Sequence, residues 1–206
     1  MTIAVVDYGA GNVPSVERAL QKLGRSTRRV SSAEGLASAK AIILPGVGHY
    51  AAMIRALDEG GLRGALLDAV SRGVPFLGIC LGLQALYRSS EEAPSLPGLA
   101  LFEGSVRALP PGVKLPHMGW NRIRIQSASP LLAGLSGSDF FYFAHSFASA
   151  GRCPEAVATC EYGTAFAAVV AHACVFATQF HPEKSGAVGL RLLENFVKFA
   201  EDGVRS

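Results

Sequence analysis

A cysteine lies between two glycines in the segment Phe76-Leu77-Gly78-Ile79-Cys80-Leu81-Gly82. The spacing G-x-nucleophile-x-G is typical of a sharp strand-to-helix turn that exposes a nucleophile, because larger side chains would clash beside the turn. Backbone N–H groups at the start of the helix would favour a thiolate. A lone cysteine in an apolar run is more often a small core residue. The hypothesis of a nucleophile therefore requires a base elsewhere in the chain.

His181 is the predicted base. It lies in Gln179-Phe180-His181-Pro182-Glu183-Lys184-Ser185, after an apolar run and about a hundred residues beyond Cys80. In an extended segment residues i and i+2 point the same way, so Glu183 can bond the ring nitrogen that faces away from the sulfur. Cys80, His181 and Glu183 would then act as nucleophile, base and orienting acid. The alternative is a polar turn at the end of a strand.

Acyl transfer also needs hydrogen-bond donors for the oxyanion of the tetrahedral intermediate. The Leu81 N–H directly follows the predicted nucleophile, and the turn Gly46-Val47-Gly48 can offer the N–H of Val47 or Gly48. Gln84, one helical turn beyond Cys80, is predicted to donate to a carbonyl or carboxylate of the substrate. An ordinary strand-end turn and a solvated helix residue are the respective alternatives.

The elements that must position these groups alternate between strand and helix. Short apolar runs at 3–6, 41–44 and 76–79 predict buried parallel strands. Helical periodicity lies between them, and the helix after Cys80 is expected to continue to residue 87. Beyond residue 105 several strand-like runs precede one amphipathic helix at 188–200. We therefore expect one α/β domain over residues 1–206: an open, mostly parallel sheet with helices on both faces and an antiparallel extension.

Composition restricts the functional classes. The chain has 206 residues, of which 50% are hydrophobic, and a formal net charge of +3. No basic stripe with interleaved aromatic residues is present, so a nucleic-acid partner is not expected. The four cysteines form no C-x-x-C pair, which disfavours a zinc site and indicates a reducing compartment. With no signal-peptide pattern and no membrane-length apolar run, a cytoplasmic protein without metal or cofactor is expected.

Gly78 to Gln84 and Gln179 to Ser185 resemble the corresponding motifs of the class I, triad-type glutamine amidotransferases. Further segments extend the similarity over most of the chain: Asp7-Tyr8-Gly9, Pro45 to Gly48, Pro116 to Asn121, and Tyr142 to Ser146. This set is similar to the family of glutaminase subunits of imidazole glycerol phosphate synthase, in histidine biosynthesis. Pro116 to Asn121 and the pair His145-Ser146 distinguish this family from its relatives.

The resemblance implies that L-glutamine is hydrolysed to glutamate through a thioester on Cys80. Ammonia would then pass to a (β/α)₈-barrel cyclase partner in a heterodimer, which forms imidazole glycerol phosphate and an aminoimidazole carboxamide ribotide. By the same resemblance, glutamine is held by Gly48, Gln84, Glu92, His145 and Ser146. The partner interface would contain Asn12, Trp120 and Lys184.

Two positions depart from the family pattern: Phe147 stands where tyrosine is frequent, and Ala177 where glycine is common. Three other functions use parts of the same sequence. They are a glutaminase subunit of another synthase, such as one that makes anthranilate, a γ-glutamyl hydrolase that needs no partner, and a non-catalytic scaffold. A copurifying partner that uses chorismate would indicate the other synthase, and activity without a partner would indicate the hydrolase. Failure of Cys80 to react with a glutamine-mimicking alkylator would indicate the scaffold.

Overall fold

The computed structural model describes residues 1–203, which form thirteen strands and six α-helices. The strands are β1 (Ile3–Val6), β2 (Thr27–Val30), β3 (Ile42–Gly46), β4 (Phe76–Cys80), β5 (Tyr87–Ser90), β6 (Phe102–Ala108), β7 (His117–Arg122), β8 (Arg124–Ile125), β9 (Phe140–His145), β10 (Phe147–Ser149), β11 (Ala156–Glu161), β12 (Ala165–His172) and β13 (Val175–Thr178). The helices are α1 (Val13–Lys22), α2 (Ala33–Ala37), α3 (Tyr50–Glu59), α4 (Leu62–Ser71), α5 (Leu81–Gln84) and α6 (Gly186–Gly203). None of these helices is long and apolar enough to cross a membrane.

Eight strands form the central sheet, in the order β2-β1-β3-β4-β13-β12-β11-β8. The five from β2 to β13 are parallel, and β12, β11 and β8 continue the sheet antiparallel. The predicted parallel sheet with an antiparallel extension is thereby confirmed. The remaining strands form a three-stranded sheet, β10-β6-β5, and a two-stranded ribbon, β7-β9.

Both faces of the inner parallel strands β1, β3, β4 and β13 are buried. In β1, Ile3 and Val5 pack with apolar residues of α1 and α6, whereas Ala4 and Val6 pack with those of α3 and α4. A strand covered on both faces needs apolar side chains at every position. This explains why the inner parallel strands are largely apolar and do not show an alternating pattern.

The helix after Cys80 is shorter than predicted. It ends at Gln84, and Tyr87 already begins β5. The chain returns over this segment, so that the Leu99 N–H donates to the Ala85 carbonyl at 2.7 Å and the Leu101 N–H to the Leu86 carbonyl at 2.9 Å. A continued helix would need these two carbonyls for its own N–H groups. Because a distant segment binds them instead, the helix ends and a strand follows.

The edge strand β2 and the short helix α2 were not predicted. β2 has the sequence Thr27-Arg28-Arg29-Val30, and both arginines are exposed. Arg29 pairs with Glu17 of α1 at 2.6 Å. Both arginines therefore lie on a solvated face, at a sheet edge whose polar pattern carries little strand signal.

Three glycines permit close backbone contact where β3, β4 and α5 meet. A Cβ on Gly82 would overlap the Leu44 carbonyl oxygen, and a Cβ on Gly78 would lie 2.7 Å from the Gly82 carbonyl oxygen. A Cβ on Gly46 would lie 2.6 Å from that of Leu81. The obstructing atoms are mostly backbone, so they cannot move aside at low cost. Glycine is required here by the packing of β3, β4 and α5.

We expect Gly82→Ala to destabilise the fold by about 3 kcal/mol, because the strand and the turn must separate. The matched control is Gly64→Ala in α4, where a Cβ meets nothing within 4 Å and should stabilise the helix by about 0.5 to 1 kcal/mol. Urea unfolding followed by circular dichroism measures both changes. Equal stability of the two variants would contradict the proposed packing constraint.

Candidate active site

Cys80 is the last residue of β4 and precedes α5, with φ 54° and ψ −103°. A non-glycine residue in such a conformation costs on the order of 1–3 kcal/mol and is found mainly at functional sites. The turn directs the residue into a pocket of about 290 Å³. Because α5 has a single turn, a long helix dipole is not available to stabilise a thiolate. Neighbouring side chains must supply most of that stabilisation.

His181 reaches Cys80 because β13 pairs with β4 in parallel, with Thr178 opposite Ile79. The His181 ring donates from Nδ1 to Oε1 of Glu183 at 2.8 Å, and both side chains are almost fully buried. Since Nδ1 is engaged, the nitrogen that remains for the Cys80 sulfur is Nε2. The three predicted catalytic side chains thus come together in the order nucleophile, imidazole, carboxylate.

The His181 imidazole is strongly basic in this setting. Burial opposes its positive charge, but the Cys80 sulfur and the Glu183 carboxylate outweigh burial and raise the pKa of His181 to about 10. The ring is therefore protonated at neutral pH beside the nucleophile. Its charge stabilises the fold fully below its ordinary pKa of 6.5, and this contribution is lost as the pH rises through about 10.

Asn12, predicted at the partner interface, lies against the triad. Its Nδ2 donates to Oε1 of Glu183 at 3.2 Å, the same oxygen that accepts from His181. The turn after β1 thus helps to fix the orienting carboxylate. Oε2 of Glu183 is buried and accepts no hydrogen bond from the described residues.

The predicted oxyanion donors border the pocket. Val47 and Gly48 follow β3, whose last residue Gly46 pairs with Cys80, and Gly48 has φ +88°. The Leu81 N–H is the first of α5, where an N–H has no partner within the helix. Sequence reasoning missed Tyr8, whose buried hydroxyl lies near the Val47 N–H without full hydrogen-bond geometry. Burial raises the pKa of Tyr8, so this phenol stays neutral.

Most residues predicted from the sequence share this pocket. Those that line it are Val47, Gly48, Cys80, Leu81, Gln84, Glu92, His145, Ser146, His181 and Lys184. Glu183 and Asn12 lie behind His181, and Trp120 lies outside the pocket. Within residues 1–203, no group of three His, Cys, Asp or Glu side chains is placed to hold a metal ion.

Gln84 presents an acceptor to the pocket, whereas the sequence suggested a donor. Its Nε2 donates to the Phe147 carbonyl at 2.8 Å and to Oε1 of Gln179 at 3.3 Å. A primary amide has two N–H donors, and both are used. Oε1 of Gln84 is the atom left for a substrate, which suits an ammonium group better than a carboxylate.

His145 is held by a second histidine that the sequence analysis did not assign. Its Nδ1 donates to the Phe147 carbonyl at 3.0 Å, and its Nε2 lies 3.1 Å from Nδ1 of His117. Burial lowers the pKa of His145 to about 3 and that of His117 to about 4. Both rings are neutral at pH 7, and both nitrogens of His145 are used within the protein.

Glu92 and Lys184 mark two sides of the pocket mouth. Oε2 of Glu92 accepts the Tyr50 N–H at 3.1 Å, where α3 begins. The Lys184 ammonium lies 5.8 Å from the centroid of the Tyr142 ring. Tyr142 belongs to β9, and its carbonyl accepts the His181 N–H at 2.9 Å. The ribbon β7-β9 is thus bonded directly to the catalytic segment.

The ribbon β7-β9 carries an exposed apolar surface. Met118 and Trp120 on β7 are 64% and 55% exposed, and Phe140 on β9 is 45% exposed. Three large apolar side chains exposed on one small element are unusual for a surface without a partner. This surface, called here the ribbon patch, lies beside the Lys184 side of the pocket.

The family model "Glutamine amidotransferase class-I" matches residues 4–199. The chain belongs to this family. It is 45% identical over 197 residues to a protein of Deinococcus radiodurans named imidazole glycerol phosphate synthase subunit HisH, covering 94% of this chain and 92% of that protein. A protein of the same name from Moorella thermoacetica is also 45% identical, with coverage of 94% and 93%.

The fold of this amidotransferase chain also matches solved structures. One that is described as a glutamine amidotransferase superposes with a TM-score of 0.77 at 23% identity, covering 96% of this chain and 98% of that one. At this identity the match concerns the fold alone. It agrees with the open sheet and its antiparallel extension.

We expect Cys80→Ala to lower the pKa of His181 from its value of about 10, because burial then acts with less opposition. NMR titration of the ring protons measures the change. The matched control is Cys160→Ala, which removes another buried free thiol and should leave the His181 titration unchanged. An identical His181 titration in the Cys80 variant would refute the electrostatic coupling.

Proposed function

We propose that this protein is the glutaminase subunit of an imidazole glycerol phosphate synthase. In this role it hydrolyses L-glutamine and passes ammonia to a (β/α)₈-barrel cyclase. The observation that carries the proposal is the buried Cys80–His181–Glu183 array at the end of a pocket, in a chain 45% identical to proteins named as subunits of that synthase. The reaction follows from these groups in two half-reactions.

In the first half-reaction the Cys80 thiolate attacks the side-chain carboxamide carbon of glutamine and forms a C–S bond. The Leu81 N–H and an N–H from Val47 or Gly48 stabilise the oxyanion. Protonated His181 then gives its Nε2 proton to the departing nitrogen as the C–N bond breaks. Ammonia leaves, and a thioester remains on Cys80.

In the second half-reaction water attacks the thioester carbon while neutral His181 takes a proton from it. The tetrahedral intermediate collapses, the C–S bond breaks, and glutamate leaves. Cys80 returns to the thiolate and His181 to its protonated form. Glu183 stays ionised throughout and holds the imidazole with Nε2 toward the sulfur.

The acceptor chemistry is proposed to lie on a partner. The described residues form an open sheet and not a closed (β/α)₈ barrel. The ribbon patch supports a partner surface beside the pocket, and Trp120 is a suitable anchor because tryptophan dominates binding energy at many interfaces. Four free cysteines are compatible with a cytoplasmic location.

We expect the purified chain, mixed with its barrel partner and an acceptor ligand, to release glutamate from glutamine. Cys80→Ala should lower this rate more than about 1,000-fold, because no thioester can form. Cys174→Ala, at the opposite end of β13, serves as the matched control and should retain activity. Unchanged glutamate release in the Cys80 variant would refute the mechanism.

Running the same assay without the partner separates the alternatives. Full activity in the isolated chain would favour a partner-independent γ-glutamyl hydrolase. Copurification with a chorismate-using subunit would favour a different synthase.

We expect Trp120→Ala to weaken binding of the barrel subunit at least about tenfold, with little loss of stability in the isolated chain because the side chain is 55% exposed. Titration calorimetry measures the affinity. Lys198→Ala on α6, away from the ribbon patch, is the control. If both variants bind alike, the interface lies elsewhere.

A further inference from the structure

A chain of buried side-chain hydrogen bonds ends on the Cys80 sulfur. Nε2 of Gln179 lies 3.7 Å from Sγ of Cys80, within the range of an N–H···S hydrogen bond. Gln179 is completely buried, and its backbone N–H is held by the Ala168 carbonyl at 2.9 Å. A buried amide beside a nucleophile can stabilise it only if its NH₂ group, and not its oxygen, faces the sulfur. The orientation of the Gln179 amide therefore decides whether it has a chemical role or only a packing role.

The Phe147 carbonyl fixes this orientation. A carbonyl oxygen only accepts, so Nε2 of Gln84 and Nδ1 of His145, both bonded to it, must donate. The second N–H of Gln84 donates to Oε1 of Gln179. Oε1 of Gln179 is therefore the acceptor side of that amide. Its NH₂ group must face Cys80.

Beyond the Phe147 carbonyl, the hydrogen-bond chain continues through His145 and His117 with the same consistent assignment of donors and acceptors. Since His145 donates from Nδ1, its neutral Nε2 accepts the Nδ1 proton of His117 at 3.1 Å. Nε2 of His117 in turn faces Nδ2 of Asn121 at 3.4 Å, and Asn121 also donates to the Glu161 carbonyl. Each member of the chain thus has one assignment of donors and acceptors that satisfies all its neighbours.

Besides His181, the sulfur has two hydrogen-bond neighbours that suit different protonation states. As a thiol, Cys80 can donate to the Ala144 carbonyl at 3.9 Å. As a thiolate it has no proton to donate, and the carbonyl dipole then repels it. The Gln179 N–H can only donate, so it interacts most strongly with the negative sulfur.

We propose that Gln179 is a further catalytic residue, whose side-chain N–H stabilises the Cys80 thiolate and holds it for attack. This inference rests on the proposed glutaminase function and adds a fourth side chain to the triad. Because the single turn of α5 provides no long helix dipole at the nucleophile, the Gln179 donor adds to the stabilisation that His181 supplies. His117 and His145 act as positioning residues, through Phe147 and Gln84.

The decisive variant is Gln179→Met, which keeps the length of the side chain and removes the donor. Gln179→Asn is a second variant that keeps an amide but shortens its reach. Iodoacetamide alkylation of Cys80 reports on the thiolate without requiring glutamine or a partner. The ionisable groups around the sulfur stay in place in both variants: His181, Glu183 behind it, Tyr8, Glu92, His145 and Lys184.

We expect alkylation at pH 7 to slow about tenfold in both variants, the effect typical of one hydrogen bond to a charged group. The alkylation profile should move to higher pH and meet that of the wild type under alkaline conditions. In the partner-activated enzyme kcat should fall by a similar factor with little change in KM, because Gln179 does not line the pocket.

Asn195→Leu is the matched control for loss of a buried amide. Asn195 of α6 donates to the carbonyls of Leu131 and Ala133, so its loss should lower the melting temperature and leave alkylation unchanged. Wild-type alkylation rates and pH profiles in both Gln179 variants would overturn the inference. If Gln179 controls alkylation but wild-type enzyme with partner releases no glutamate, the proposed function fails and the role of Gln179 stands.

Discussion

The close approach of backbone to backbone where β3, β4 and α5 meet is the constraint on which the site depends. Gly46, Gly78 and Gly82 let these segments come nearer than any side chain would permit. The approach forces the chain to turn sharply at Cys80. The positive φ of this residue is energetically unfavourable for any amino acid other than glycine. It also sets the turn at Val47 beside the nucleophile. One packing relationship therefore positions both the sulfur and the backbone N–H groups that are proposed to act on the same carbonyl.

Around this turn the protein buries several polar side chains, and most of them have hydrogen-bond partners within the protein. Glu183 accepts from His181 and Asn12, and the Phe147 carbonyl accepts from Gln84 and His145. In a region of low dielectric such bonds are strong, and an unmatched member is costly. The histidines illustrate how partners decide charge: burial keeps His145 neutral, whereas a sulfur and a carboxylate make His181 cationic.

Phe147 and Ala177, the two departures from the family pattern, leave this network intact. Phe147 contributes its backbone carbonyl, which is present whatever the side chain. Ala177 is buried in β13 and pairs with Gly78 of β4, where its methyl group is accommodated. The strand that delivers His181 to Cys80 is thereby preserved. At these two positions the network uses a main-chain carbonyl and the strand register, and neither depends on the side chain.

The sequence by itself determined the parallel sheet, and it predicted the turn at Cys80 and the three side chains of the proposed triad. Their signals are local: apolar runs long enough to be buried on both faces, glycines at fixed distances from Cys80, and a carboxylate two residues after His181. Only the tertiary structure decided the length of α5, the edge strand β2, the acceptor role of Gln84 and the contacts of Gln179 and His117. The physical reason is that a hydrogen bond between residues 84, 147 and 179 depends on strand register and side-chain direction, which no local pattern encodes. Carbonyls captured by a distant segment, such as those of Ala85 and Leu86, shorten a helix for the same reason.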